Sequence, residues 1–312
     1  MRARGINYDT GFLPSPGSRA HFTPEVVARD LRVIAEELHC DAVRVSGGDP
    51  GRLAFAAERA AEHGLEIWFA PFPVDVPRDE MLDLFADCAA RAEKLRAGVT
   101  SVRFVAGCEL TAFAPGFIPG GTYGERLQTI GSADQAWWNG LGPIIARLDD
   151  YLGEVATRVR AAFGGPVTYA AAPWEFIDWS PFDYVGADAY RAAYNAEGFA
   201  EEIAALAGHG KPVAILEYGT CAYTGAGERG GMAWQPPAGA VPDEDEQVRY
   251  FTELLDVFEA QGVDTALWFT FAGFSRVGAE DLGSYGVVRM LDEESDWERK
   301  RLFTVMAERY GS

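Results

Sequence analysis

Eight short apolar runs rich in β-formers alternate with longer amphipathic stretches along this chain, and no other feature limits its fold so strongly. The strand-type runs fall at residues 5–9, 42–45, 65–70, 102–106, 167–171, 184–189, 212–216 and 265–270. Helical patterns follow at 23–38, 51–63, 78–97, 144–159, 198–207, 244–261 and 297–310. The first helix carries its own start signal, with Thr23 as cap, Pro24 in the first turn and Glu25 facing the positive end of the helix dipole. Gly64 sits where a C′ glycine would end the second. A strand followed by a helix, repeated, implies parallel pairing, because each helix returns the chain to the same end of the sheet. An open doubly wound sheet and a closed (β/α)₈ barrel both satisfy that pattern. The dinucleotide-binding form of the open sheet needs Gly-x-Gly-x-x-Gly after its first strand, which this chain lacks. Eight units without a linker or a shift of composition predict a single (β/α)₈ TIM barrel over residues 1–312. Its long loops would follow strands four and seven, at 110–132 and 222–243.

Charge narrows the partners. The chain has 47 acidic against 27 basic residues, a net charge of −20, which repels nucleic acid and anionic membrane surfaces. A neutral ligand meets no such penalty. No apolar run is long enough to span a bilayer, and the start, Met1-Arg2-Ala3-Arg4-Gly5, lacks the apolar segment of a secretory leader. A cytoplasmic location is therefore expected. Cys40, Cys88, Cys108 and Cys221 form no C-x-x-C pair, and the four histidines show no metal-ligand spacing. No metal, cofactor or disulfide framework is expected, and the oligomeric state is not legible.

In such a barrel the chemistry sits at the C-terminal ends of the strands. The polar residues there include Tyr8 and Asp9, Arg44 and Ser46, Glu109, Trp174 and Glu175, Asp188, Tyr190 and Arg191, Glu217, and Trp268. Two glutamates stand out, in Ala106-Gly107-Cys108-Glu109-Leu110 and in Ala214-Ile215-Leu216-Glu217-Tyr218-Gly219. Each directly follows an apolar strand and precedes a long loop, and strands four and seven lie on opposite sides of the mouth. Two carboxyls so placed can flank a glycosidic bond, one giving a proton to the leaving oxygen and the other attacking the anomeric carbon. An ion pair at the barrel rim is the plain structural alternative. Trp137, Trp138, Trp174, Trp179, Tyr223, Trp234 and Phe274 fall in or near loops at the same end. Aromatic faces there can stack on the C–H faces of a sugar. Glu175, Asp178 and Asp188 are competing carboxylates that could serve an inverting enzyme.

This placement resembles clan A of the retaining glycoside hydrolases. The resemblance spans residues 5 to about 274, and includes Pro181-Phe182-Asp183-Tyr184-Val185-Gly186 and the stretch from Gly210-Lys211-Pro212-Val213 to Glu217-Tyr218-Gly219, which is similar to several clan families, some β-mannanases among them. It implies a retaining hydrolase of an O-glycosidic, expected β, linkage, with Glu109 as acid/base, Glu217 as nucleophile and a neutral oligosaccharide or glycoside as substrate. It also implies that Arg44 and Tyr190 bond the nucleophile and that Trp268 floors the subsite of the reacting sugar. Trp174 and Trp234 are expected in substrate binding, and Asp188 is expected to brace Arg44 or Arg191. Cys108 departs from the pattern, because most of the clan has an asparagine there that binds the 2-hydroxyl, and a thiol is a poor hydrogen-bond partner. That departure keeps a second reading open, a non-catalytic carbohydrate-binding or signalling barrel. Transglycosylation by the same two glutamates is a third.

Overall fold

The computed structural model describes residues 1–14, 17–98 and 101–312, so part of the Pro/Gly/Ser stretch after the first strand lies outside the described residues. Eight strands form one sheet: β1 Ala3–Asp9, β2 Ala42–Gly47, β3 Glu66–Pro71, β4 Val102–Cys108, β5 Val167–Ala170, β6 Val185–Asp188, β7 Val213–Tyr218 and β8 Thr265–Trp268. Their order is β5-β4-β3-β2-β1-β8-β7-β6, and every pairing is parallel. The last seam closes between β5 and β6 at a parallel bridge from Ala171 to Ala187. There the Ala171 amide donates to the Gly186 carbonyl at 3.0 Å and the Asp188 amide to the Ala171 carbonyl at 2.9 Å. The expected (β/α)₈ barrel is the fold.

Helices α1 Pro24–Glu36, α2 Pro50–Glu62 and α3 Arg78–Arg96 follow the first three strands. Four helices fill the β4–β5 connection: α4 Leu110–Phe113, α5 Tyr123–Gly131, α6 Gln135–Asn139 and α7 Gly142–Arg160. Then come α8 Phe199–Leu206, α9 Glu244–Ala260 and α10 Arg301–Tyr310. Local signals explain the starts and stops. Asp49 caps α2 by accepting from the Gly51 and Arg52 amides at 2.7 and 2.8 Å, with Pro50 next in the chain, and Gly64 ends that helix at a φ of 77°. Thr23 occupies the cap position of α1 without a side-chain bond, so Pro24 and the apolar stripe define that helix.

Two expectations change. Among the described residues no helix lies between β5 and β6, so the fifth unit closes with a loop. After β8 the chain forms a small sheet, β9 Ala272–Val277, β10 Val288–Met290 and β11 Trp297–Arg299, so the last helix begins at Arg301 rather than at 297. Trp297 has paired antiparallel with Met290 instead. Among the described residues no helix is long and apolar enough to cross a membrane.

Side chains alternate across each strand. Ile6, Tyr8, Val43, Val45, Ile67, Phe69 and Phe104 pack outward in one cluster with Val27, Leu31, Phe85 and Leu152 of the helices. Ala42, Trp68, Val105, Leu216 and Leu267 fill the interior in another. Two strands break the alternation. In β4, the step from Val105 to Cys108 faces a shorter step from Thr168 to Ala170, and in β7 the step from Ile215 to Tyr218 faces one from Ala266 to Trp268. Each therefore carries one extra residue, a β-bulge, immediately before or at its glutamate.

Candidate active site

The β7 bulge decides where Glu217 points. With strict alternation after Ile215, which packs outward, Leu216 would face in and Glu217 out. The extra residue lets both face in, while Tyr218 turns out against Phe258 and Trp268. In β4 the same job falls to Gly107. Its φ of 96° is open to glycine, and a Cβ there would stand 3.2 Å from the Leu110 side chain. Cys108 then enters the interior cluster, and Glu109 takes the left-handed conformation, φ 43°, at the start of α4.

Glu217 is nearly buried and holds three contacts. Arg44 Nη1 donates to its Oε1 at 2.5 Å, the Tyr190 hydroxyl donates to its Oε2 at 2.9 Å, and Cys108 Sγ lies 3.5 Å from Oε1. Both carboxylate oxygens thus face hydrogen-bond donors. Arg44 is itself fully buried on β2 and gives a second bond, 3.1 Å, to Asn7 Oδ1. Asn7 was not among the residues singled out by sequence. Its amide nitrogen donates to the carbonyls of Leu216, Leu267 and Trp268, so one side chain on β1 ties β7 and β8 together and aims the arginine.

Glu109 is different. It is half-buried, and its carboxyl has no hydrogen-bond partner among the described residues. Burial, then the negative charges of Glu217 and Glu175, push its pKa well above the usual carboxylate range, against the pull of Arg44. Asp188, 2% exposed, is also pushed well up, by burial and then by Glu217. Cys108 donates to its Oδ2 at 3.3 Å, while Oδ1 is buried with no partner. The thiol is held neutral by burial and by the carboxylates of Asp188 and Glu217.

The structure brings Arg44, Cys108, Tyr190 and Glu217 together, with the charge of Glu109 felt at this cluster, and it corrects other expectations. Trp268 is not a floor. It is fully buried on the outward side of β8, edge-on to Tyr218, Tyr250 and Phe251, with its indole nitrogen donating to the Tyr285 carbonyl at 3.1 Å. β8 has no extra residue at this point, so the next residue, Phe269, turns to the mouth and meets Tyr285, which in turn packs edge-on to Tyr190. Asp188 braces neither arginine, since Arg191 pairs with Glu253 and the bond of Asp188 is to Cys108. Glu175 is no spare base. It is buried with three donors on its oxygens: the amides of Thr111 and Ala172 and the Tyr169 hydroxyl. Asp178 is exposed and bonded to Ser180.

Among the aromatics, Trp179, Tyr223 and Phe274 are buried packing residues, whereas Trp137, Trp138, Trp174 and Trp234 keep partly open faces. Trp138 meets Trp174 at 6.2 Å, and the Trp174 indole donates to Thr111 Oγ1 at 2.9 Å. Trp234 lies under the Arg276 guanidinium. Phe176 and Tyr194, both 79% exposed on the loops after β5 and β6, were missed, since nothing in the sequence marks a lone aromatic as exposed. Cys108, Asp188 and Glu217 place one sulfur and two carboxylate oxygens within 4.8 Å, a set that resembles a metal cage. Arg44 already holds the Glu217 oxygen that a cation would need.

The fold and site define a (β/α)₈ barrel with two glutamates at the ends of bulged strands four and seven, Glu217 gripped by donors and Glu109 without a side-chain partner among the described residues. No protein-family model matches the chain, and no relative is found among curated proteins. Solved structures do match. A GH113 β-1,4-mannanase superposes with a TM-score of 0.69 at 16% identity, covering all of both chains. The GH113 β-mannanase AaManA from Alicyclobacillus acidocaldarius, in complex with ManMIm, gives 0.66 at 17%, over 99% of this chain and 97% of that one. A Bacteroides uniformis β-glucuronidase gives 0.64 at 16%, over 99% of this chain and 35% of that one. At these identities the likeness is one of fold.

Proposed function

We propose that this chain, acting as one catalytic unit, is a retaining glycoside hydrolase for neutral β-linked sugars. The observation that carries the reading is the asymmetry between the two glutamates. The Glu217 carboxylate attacks the anomeric carbon as the glycosidic bond breaks, and the proton of Glu109 goes to the departing oxygen. The product of that step is a glycosyl ester on Glu217. Esterification removes the negative charge that helped to raise the Glu109 pKa, so Glu109, now deprotonated, becomes the base that takes a proton from water. Water attacks the same carbon, the ester bond breaks, and Glu109 is protonated again. Arg44 and Tyr190 stabilise Glu217 as attacking carboxylate and as leaving group.

The unpartnered Oδ1 of Asp188, close to Cys108, supplies the hydrogen-bonding capacity that the thiol lacks. Trp174, Trp234 and Phe269 offer the stacking faces. The β-mannanases that superpose on this fold act, by their names, on neutral β-linked mannosides, which supports the substrate class. Transglycosylation would use the same ester and differ only in what intercepts it. Cys108 alone favours a non-catalytic barrel, and the donors around Glu217 weigh against that.

Proton NMR of the first product from 4-nitrophenyl β-glycosides of mannose, glucose and galactose tests the proposal. The β-anomer should appear first and mutarotate later. An α-anomer formed first would mean inversion and would overturn it.

A further inference from the structure

The helix behind Glu109 is a single turn, Leu110–Phe113, too short to hold its shape alone. Both of its ends are nevertheless occupied. At the N-terminal end the Leu110 amide donates to the Tyr169 hydroxyl at 2.7 Å and the Thr111 amide to Glu175 Oε1 at 2.9 Å. The Tyr169 hydroxyl in turn donates a hydrogen bond to Glu175 Oε2 at 2.8 Å. At the C-terminal end the fully buried Arg126 donates to the carbonyls of Ala112 and Phe113 at 2.7 and 3.1 Å, and it is anchored by Asp75 and the Gly120 carbonyl. A carboxylate at the positive end of the turn and a guanidinium at the negative end match its dipole. Glu109 has no side-chain bond of its own, so its direction is set by this turn and by its left-handed backbone.

We propose that Glu175 and Arg126 are positioning residues that clamp this turn from both ends and thereby fix the orientation of the Glu109 carboxyl in the cleft. The proposal rests on Glu109 being the acid/base. Glu175 has a second effect, because its charge adds to the burial and to the Glu217 charge that keep the Glu109 proton in place. The other groups whose charges couple to Glu109 are Arg44 on β2, Cys108 on β4, and Asp188, Tyr190 and Tyr194 on β6 and its loop. None of these is in the clamp. Glu175→Gln therefore moves Glu109 without touching the groups around Glu217.

The test compares Glu175→Gln, Arg126→Met and Tyr169→Phe with Glu109→Ala on two glycosides of one sugar. These are the 2,4-dinitrophenyl β-glycoside, which departs without a proton, and the 4-methoxyphenyl β-glycoside, which needs one. The sugar is the first of mannose, glucose and galactose that the wild type turns over. In Glu175→Gln the ratio of kcat/KM between the two substrates should rise about tenfold, in the direction of the larger rise for Glu109→Ala. The basic limb of its kcat/KM profile should move to lower pH, since a neighbouring negative charge is gone. Tyr169→Phe keeps its ring in the core and should raise the ratio less, without the same pH displacement. Ratios within about twofold of wild type in all three clamp variants, beside a large rise in Glu109→Ala, would overturn the clamp while leaving the acid/base in place. Loss of the folded near-ultraviolet spectrum in all three would likewise overturn it, as support for the fold rather than for Glu109. No rise in Glu109→Ala, or no turnover of either glycoside by the wild type, would remove the acid/base reading and this inference with it.

Discussion

Asn7 offers no acid, base or nucleophile, yet its amide holds three carbonyls on β7 and β8 while its oxygen holds Arg44. Asn7→Ala should cost about 1–3 kcal/mol in urea denaturation, because buried carbonyls lose their donor. It should also lower kcat about tenfold by loosening the arginine on Glu217. No signal in a strand interior marks such a residue; Arg44, equally inside β2 and in register with Asn7, was legible with Tyr190 only through the family resemblance. Trp268 and Phe269 make the complementary point. Chain position suggested the tryptophan, and the period of two assigns the mouth to its neighbour. Trp268→Ala should destabilise by about 3–5 kcal/mol through a cavity behind β8. Phe269→Ala should leave the melting temperature near that of the wild type and raise KM. The reverse pattern in paired melting and kinetic runs would restore Trp268 as the sugar floor.

At the scale of elements, the eight strands were readable because each is an apolar run closed by turn residues. The connections were less so. The β5–β6 connection had no helical period to find, and two strands of the small sheet after β8, β10 and β11, have three residues each, too short for alternation to show. The two bulges matter most and differ in legibility. Gly107 hints at one, since glycine before Cys108-Glu109 suggests a special backbone, but the extra residue of β7 is hidden in the smooth run Val213-Ala214-Ile215-Leu216. Gly107→Ala tests the bulge. It forces a Cβ to 3.2 Å from Leu110 at a φ of 96°, which should cost about 1–3 kcal/mol and cut turnover further than stability alone explains. Equal turnover per folded molecule would show that the β4 bulge does not aim Glu109.

For the whole molecule, the site is a source of instability. Glu109 and Asp188 hold their protons more tightly folded than unfolded. At pH below the ordinary carboxylate range both states are protonated and neither group matters. As pH rises through that range the unfolded chain ionises first, so stability falls until the folded pKa values are passed. Glu109→Gln removes the Glu109 share of this loss. Its melting temperature should equal that of the wild type near pH 4 and exceed it by ~2 °C near pH 8, by scanning calorimetry. An advantage that is largest in acid would contradict the sign of the shift. The acidic surface, −20 overall, was visible in composition, but the crowding of three carboxyls around one guanidinium exists only once the barrel closes.

The most direct test is covalent trapping with 2,4-dinitrophenyl 2-deoxy-2-fluoro glycosides of mannose, glucose and galactose, followed by intact mass and peptide mapping. The predicted result is one sugar per chain, on the peptide that contains Glu217, and no labelling of Glu217→Gln. An adduct on another residue, or none with any of these sugars on folded protein, would contradict Glu217 as the nucleophile.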